Sequence, residues 1–141
     1  MSRIYWDSML FIYWLEDHPL FAERVAAIHF RMQERNDELI TGTFTFGEVF
    51  AGAYRRGAQQ RTDGTLRQLL SVVSAPVPFT VEVADHYARI RGTLGVGAAD
   101  AIHLACAASA GTDLFLTNDK HLTGKVIPGI QFIAGLDSDI I

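Results

Sequence analysis

Four acidic residues, Asp7, Glu48, Asp100 and Asp119, each stand where an apolar run gives way to a turn or to the start of a helix. Singly, each has an ordinary structural reading. Asp7 reads as a helix cap, Glu48 as half of a capping box Thr45-Phe-Gly-Glu48, Asp100 as a charge favoured by a helix dipole, and Asp119 as a turn cap. Gathered in one place they would do different work. At an effective dielectric near 20, two carboxylates about 4 Å apart repel by roughly 4 kcal/mol, so a packed set must be protonated or hold a cation. Oxygen donors suit hard Mg²⁺, with Mn²⁺ as its substitute, better than zinc. The five histidines show no zinc spacing either. Such a cation keeps positions open for water and a phosphodiester oxygen, the arrangement for metal-assisted hydrolysis of a nucleic acid backbone.

The elements that would bring these acids together are legible in the apolar spacing. Ile4-Tyr5-Trp6 reads as a buried strand passing through the N-cap pair Asp7-Ser8 into a helix. A second helix is expected from Pro19, with Phe21, Val25, Ile28 and Met32 on one face. A strand near Leu39 to Thr41 follows, then a helix from the capping box to about Arg56, ended by Gly57. Leu66, Leu69, Leu70 and Val73 mark the face of the next helix, and a short strand is expected around Ala75 to Phe79. Val83, Tyr87, Ile90 and Leu94 repeat the helical spacing. Gly92, Gly95 and Gly97 read as a flexible break before a helix from Ala98 to Ala110. Leu114 to Thr117 and Ile130 to Ile133 are the last two strands. Strands alternating with helices imply a three-layer α/β/α sandwich with a mostly parallel central sheet. In such a fold the ligand crevice lies beyond the C-terminal strand ends, and all four acids fall there.

The chain has 141 residues, the size of one domain, and 49% of them are hydrophobic against 20% charged, a globular balance. A single domain over residues 1–141 is therefore expected. The longest apolar run, Met9 to Leu15, is far short of the roughly 20 residues that cross a bilayer, so no membrane association is expected. A single cysteine and the lack of a signal-peptide pattern point to the cytoplasm. The net charge of -4 argues against nonspecific adhesion to nucleic acid. Distribution qualifies this: of twelve cationic side chains ten are Arg, and Arg55, Arg56, Arg61 and Arg67 fall close together. Arg55, Arg56 and Arg61 are candidate contacts for an RNA backbone, with a solvated helical face as the plainer reading.

Tyr5-Trp6-Asp7-Ser8, Thr45-Phe-Gly-Glu48, Ala99-Asp100-Ala101-Ile-His-Leu-Ala105 and Leu116-Thr117-Asn118-Asp119 together resemble, in order and spacing, the PIN domain family. In particular the chain is similar to the VapC toxins of bacterial and archaeal toxin-antitoxin pairs, over nearly its whole length. The resemblance implies a Mg²⁺-dependent endoribonuclease in which Asp7, Glu48, Asp100 and Asp119 hold the metal, supported by Thr117, with Ser8 beside them. It also implies an RNA substrate, a homodimer, and a small VapB-like antitoxin whose C-terminal segment lies across the active-site groove. The Ala-rich helix carrying Asp100 and the surface near Phe44, Phe46 and Phe50 are the expected contact regions. His103 and Cys106 occupy variable positions of that helix.

Other classes fit less well. Cys106 with His103 could suggest a thiol nucleophile, but an Ala-rich helix is a core setting in which a lone Cys acts as a small apolar residue. His121 beside Asp119 reads more simply as an exposed turn histidine than as a ligand. A receiver-like phosphoacceptor domain would need an acid pair after the first strand, which is missing. A non-toxin PIN nuclease, or a PIN fold that binds RNA without cutting it, remain the alternatives within the family.

Overall fold

The computed structural model describes residues 1–57, 62–139 and 141. Five strands, β1 (Arg3–Trp6), β2 (Glu38–Gly42), β3 (Pro76–Val77), β4 (Thr112–Thr117) and β5 (Ile130–Gly135), form one sheet in the order β3-β2-β1-β4-β5. Every pairing between them is parallel. Six helices connect them: α1 (Ser8–Leu15), α2 (Ala22–Arg35), α3 (Thr43–Arg55), α4 (Thr62–Val72), α5 (Val81–Leu94) and α6 (Ala98–Ala110).

The two-residue period of β1 sorts the layers. Ile4 and Trp6 join Leu39, Leu114 and Leu116 under α1 to α4, whereas Tyr5 joins Ile40 and Phe115 under α5 and α6. Both faces of the sheet are thus covered, which is why Ile4 to Trp6 and Leu114 to Leu116, in the two central strands, are apolar without interruption. The strand order reverses direction at β1, because the chain builds outward through β2 and β3 before returning to β4 on the other side. Ligand crevices in open α/β sheets form at this kind of switch point, here beyond the C-terminal ends of β1 and β4.

Several boundaries differ from the sequence reading for local reasons. α2 opens at Ala22 rather than Pro19, because the Leu20 amide is captured by the His18 ring and residues before Ala22 stay in a turn. β3 is a two-residue edge strand, as Pro76 and Pro78 remove backbone donors on either side of Val77. Leu70 does not belong to the buried stripe of α4: it is exposed, while Leu69 and Val73 are buried. Gly92 lies within α5, so the break is confined to Gly95, the left-handed cap of α5, and Gly97, the N-cap of α6. Helix α6 packs its alanines into the domain's own core, with Ala101, Leu104, Ala105 and Ala107 fully buried, and Phe46 is buried as well. Those residues therefore face inward rather than toward a partner. Among the described residues no helix is long and apolar enough to cross a membrane.

Candidate active site

Asp7 follows β1 directly and caps α1, its Oδ1 accepting the Met9 amide at 3.1 Å. The same carboxylate accepts the Thr117 hydroxyl on Oδ2 at 2.6 Å, at the end of the neighbouring strand β4. Thr117 Oγ1 in turn accepts the Asp119 amide at 3.0 Å. One buried threonine thereby ties together the acids that end the two central strands. Asp7 itself is only 7% exposed, and burial pushes its carboxyl above the ordinary range against the opposing pull of Thr117 and His103.

Asp100 stands in the first turn of α6. Burial raises its pKa, and the negative charge of the nearby Asp119 carboxyl raises it further, with Glu48 adding a weaker push. Carboxyls crowded in this way call for a proton or a cation. The pair opens into a cleft of about 380 Å³ walled by Val96, Gly97, His121 and Lys125. Thr117, Asn118 and Lys120 line a neighbouring cleft of about 780 Å³, with Arg24 at its side. His121 is exposed, and its backbone amide rather than its ring meets Asp119 Oδ1.

Glu48 reaches the site by a route that the capping-box reading missed. Gly42, not Thr45, is the N-cap of α3, and the helix begins at Thr43. Thr45 is fully buried and its hydroxyl meets Thr41 Oγ1 at 2.6 Å, while Thr41 donates to the Trp6 carbonyl at 2.8 Å. No capping role holds Glu48 back. Its Oε1 lies 2.6 Å from His103 Nε2. Burial would raise the Glu48 pKa, but the hydrogen bonds from His103 and Ser8 outweigh it and leave the carboxyl below the usual range.

Thus Asp100 and Asp119 face one cleft, Asp7 is joined through Thr117 to the Asp119 amide, and Glu48 is joined through His103 to the helix that carries Asp100. Among the described residues, however, no three His, Cys, Asp or Glu side chains converge closely enough to form a ready-made metal cage. Ser8 is buried beside the site. Arg55 ends α3 and Arg56 pairs with Glu16, whereas Arg61 lies outside the described residues.

The model of the PIN domain family matches residues 4–125, most of the chain. The chain belongs to the PIN domain family. No curated protein matches it. Among solved structures, it resembles VapBC2 from Rickettsia felis bound to a DNA fragment from their promoter, with a TM-score of 0.75 and 15% identity, covering 94% of this chain and 98% of that one. A toxin-antitoxin complex from Klebsiella pneumoniae gives a TM-score of 0.63 at 21% identity, covering 90% and 94%. FitAcB from Neisseria gonorrhoeae gives 0.65 at 24% identity, covering 84% and 88%. These likenesses establish the PIN fold over 88–98% of those chains. Within it, His103 is the site residue that sequence reasoning passed over, since a lone histidine on an apolar helix face carries no spacing signal.

Proposed function

We propose that this PIN domain is a Mg²⁺-dependent endoribonuclease and the toxin of a VapBC-type pair, restrained by a small antitoxin. The observation that carries the reading is the link from Asp7 through Thr117 to Asp119, with Asp100 and Asp119 lining one cleft, laid across the switch point of the sheet. The absence of a ready cage does not count against Mg²⁺, which keeps several waters and takes only one or two carboxylates. Asp7 and Asp100 would be the nearest ligands, with Glu48 and Asp119 completing the set or orienting water. The oxygen-rich donors and the raised pKa values of Asp7 and Asp100, both carboxyls that burial makes costly to ionise, fit a divalent cation whose charge would offset that cost.

When bound, the cation supplies Lewis-acid polarisation of the scissile phosphate and a more acidic water, leading to 5′-phosphate and 3′-hydroxyl ends. The chain's own residues do the rest. Thr117 locks the Asp7 carboxylate in place, Glu48 stays ionised and able to accept a proton from water, and Lys120 and Lys125 stand on the cleft walls within reach of an RNA backbone. The structural neighbours, a VapBC complex and a toxin-antitoxin complex, support the antitoxin partner, and homodimerisation is part of the same proposal. Purified protein should cut single-stranded RNA with Mg²⁺ or Mn²⁺, and EDTA should stop it. Cleavage undiminished by EDTA would overturn the metal-dependent reading.

A further inference from the structure

His103 is 3% exposed, yet both ring nitrogens are engaged. Nε2 lies 2.6 Å from Glu48 Oε1 and Nδ1 lies 2.9 Å from the Tyr5 hydroxyl. Tyr5 is fully buried in β1, and its oxygen accepts the Gly42 amide at 3.0 Å, at the cap of the helix that carries Glu48. The packing at this corner is close. A Cβ on Gly42 would sit 3.1 Å from both Tyr5 Oη and Cys106 Sγ, so the glycine is what lets α3 start against the phenol. Phe44 covers the ring of His103 at a centroid distance of 5.5 Å.

The proton positions follow from the partners. A carboxylate only accepts, so Nε2 is the donor to Glu48 Oε1. Burial keeps the Tyr5 phenol far above its ordinary pKa, so it retains its proton and donates to Nδ1. The line therefore runs from the Gly42 amide to Tyr5, from Tyr5 to His103 and from His103 to Glu48, and each step fixes the direction of the next. Any buried imidazole needs partners on both nitrogens, but here one of them is a carboxylate of the site, carried by a different helix.

We propose that His103 is a positioning residue, anchored by Tyr5, that sets the orientation in which Glu48 is presented to Asp100 and Asp119. This deepens the nuclease reading and rests on it for its consequence in catalysis, but not for its geometry. Acids and histidines aligned by such outer partners typically lose 10–100-fold in metal affinity or activity when the partner is removed.

The test combines a metal-free signature with a binding measurement. ¹⁵N spectra of the histidine rings without metal should show His103 protonated on Nε2 with Nδ1 accepting a hydrogen bond, and Tyr5→Phe should shift the Nδ1 signal. Calorimetric titration with Mn²⁺ should show affinity lowered on the order of 10–100-fold in His103→Leu. His103→Gln, whose amide can still donate to Glu48, should recover most of it. In RNA cleavage the Leu variant should lose kcat with KM unchanged. An unshifted Nδ1 signal in Tyr5→Phe, wild-type Mn²⁺ affinity in a folded His103→Leu, or a Gln variant no better than Leu would each overturn the positioning role. Should His103→Leu fail to fold, Tyr5→Phe and His103→Gln decide. If the spectra and Mn²⁺ affinities behave as expected while wild-type protein cuts no RNA, the positioning role stands and the nuclease reading falls.

Discussion

Asp7 combines three roles that ordinarily conflict: it ends a strand, caps a helix and stays nearly buried with its charge opposed by burial. Asn caps a helix about as well as Asp and can still accept the Thr117 hydroxyl, so Asp7→Asn should fold. It should also lose cleavage by more than the 10–100-fold typical of outer partners, because a proposed ligand itself is neutralised. Its stability should respond to pH in a defined direction. A raised folded pKa means that the protonated form favours the fold. That contribution is complete below the free Asp value near 3.9 and is lost as pH rises through the folded value. Without metal, Asp7→Asn should therefore gain on wild type in urea midpoint as pH rises from 4 to 8. Glu48 acts in the opposite sense, since its lowered pKa stabilises the fold above the free Glu value and the gain disappears as pH falls. A wild-type minus Asp7→Asn difference that stays flat across this range in EDTA would show that Asp7 carries no buried-charge penalty.

Helices and strands were largely readable from spacing, because apolar residues at periods of two and 3.6 must face a core wherever the chain is long enough to form one. α6 begins and ends where the glycines on either side of it imply, and Asp7 caps α1 as its type suggests. What escaped the sequence depends on partners distant in the chain. The start of α3 shifts because Tyr5, from another strand, receives the Gly42 amide, and His103 gains meaning only from Glu48 and Tyr5 on two other elements. Glycines show the same dependence on context. Gly129 has φ of +98° where the chain turns into β5, and a Cβ there would fall 2.5 Å from the Ala108 carbonyl at the end of α6. Gly129→Ala should therefore destabilise by about 2 kcal/mol or more, from left-handed strain and displaced backbone together. Gly92, inside α5 with open space around its Cβ, should do the reverse: Gly92→Ala should stabilise by roughly 0.4–1 kcal/mol. Urea denaturation of the two variants checks both signs, and equal effects would mean that neither packing nor φ distinguishes these positions.

Across the whole molecule, a net charge of -4 repels RNA at long range, so the proposed RNA substrate would have to be attracted by charge concentrated near the cleft. The acids cluster at the switch point, Lys120 and Lys125 stand on its walls, and Arg55 and Arg56 end α3. Seven residues separate Glu48 from Arg55 along one helix, about 10 Å of rise at 1.5 Å per residue, a span that an RNA backbone covers in two nucleotides or so. The Arg56 pairing with Glu16 does not remove it from this surface, because exposed ion pairs are worth little and exchange readily for phosphate. Single-stranded RNA releases about 0.7 counterions per neutralised phosphate, so replacing both arginines with Glu should flatten the salt dependence of log affinity by about 1.4 and weaken binding at low salt. The Asp7→Asn background allows this to be measured at equilibrium without cleavage, by fluorescence anisotropy with a short labelled RNA. An unchanged slope would return both arginines to the role of a solvated helix end, and RNA attraction would then fall to the cleft-wall lysines.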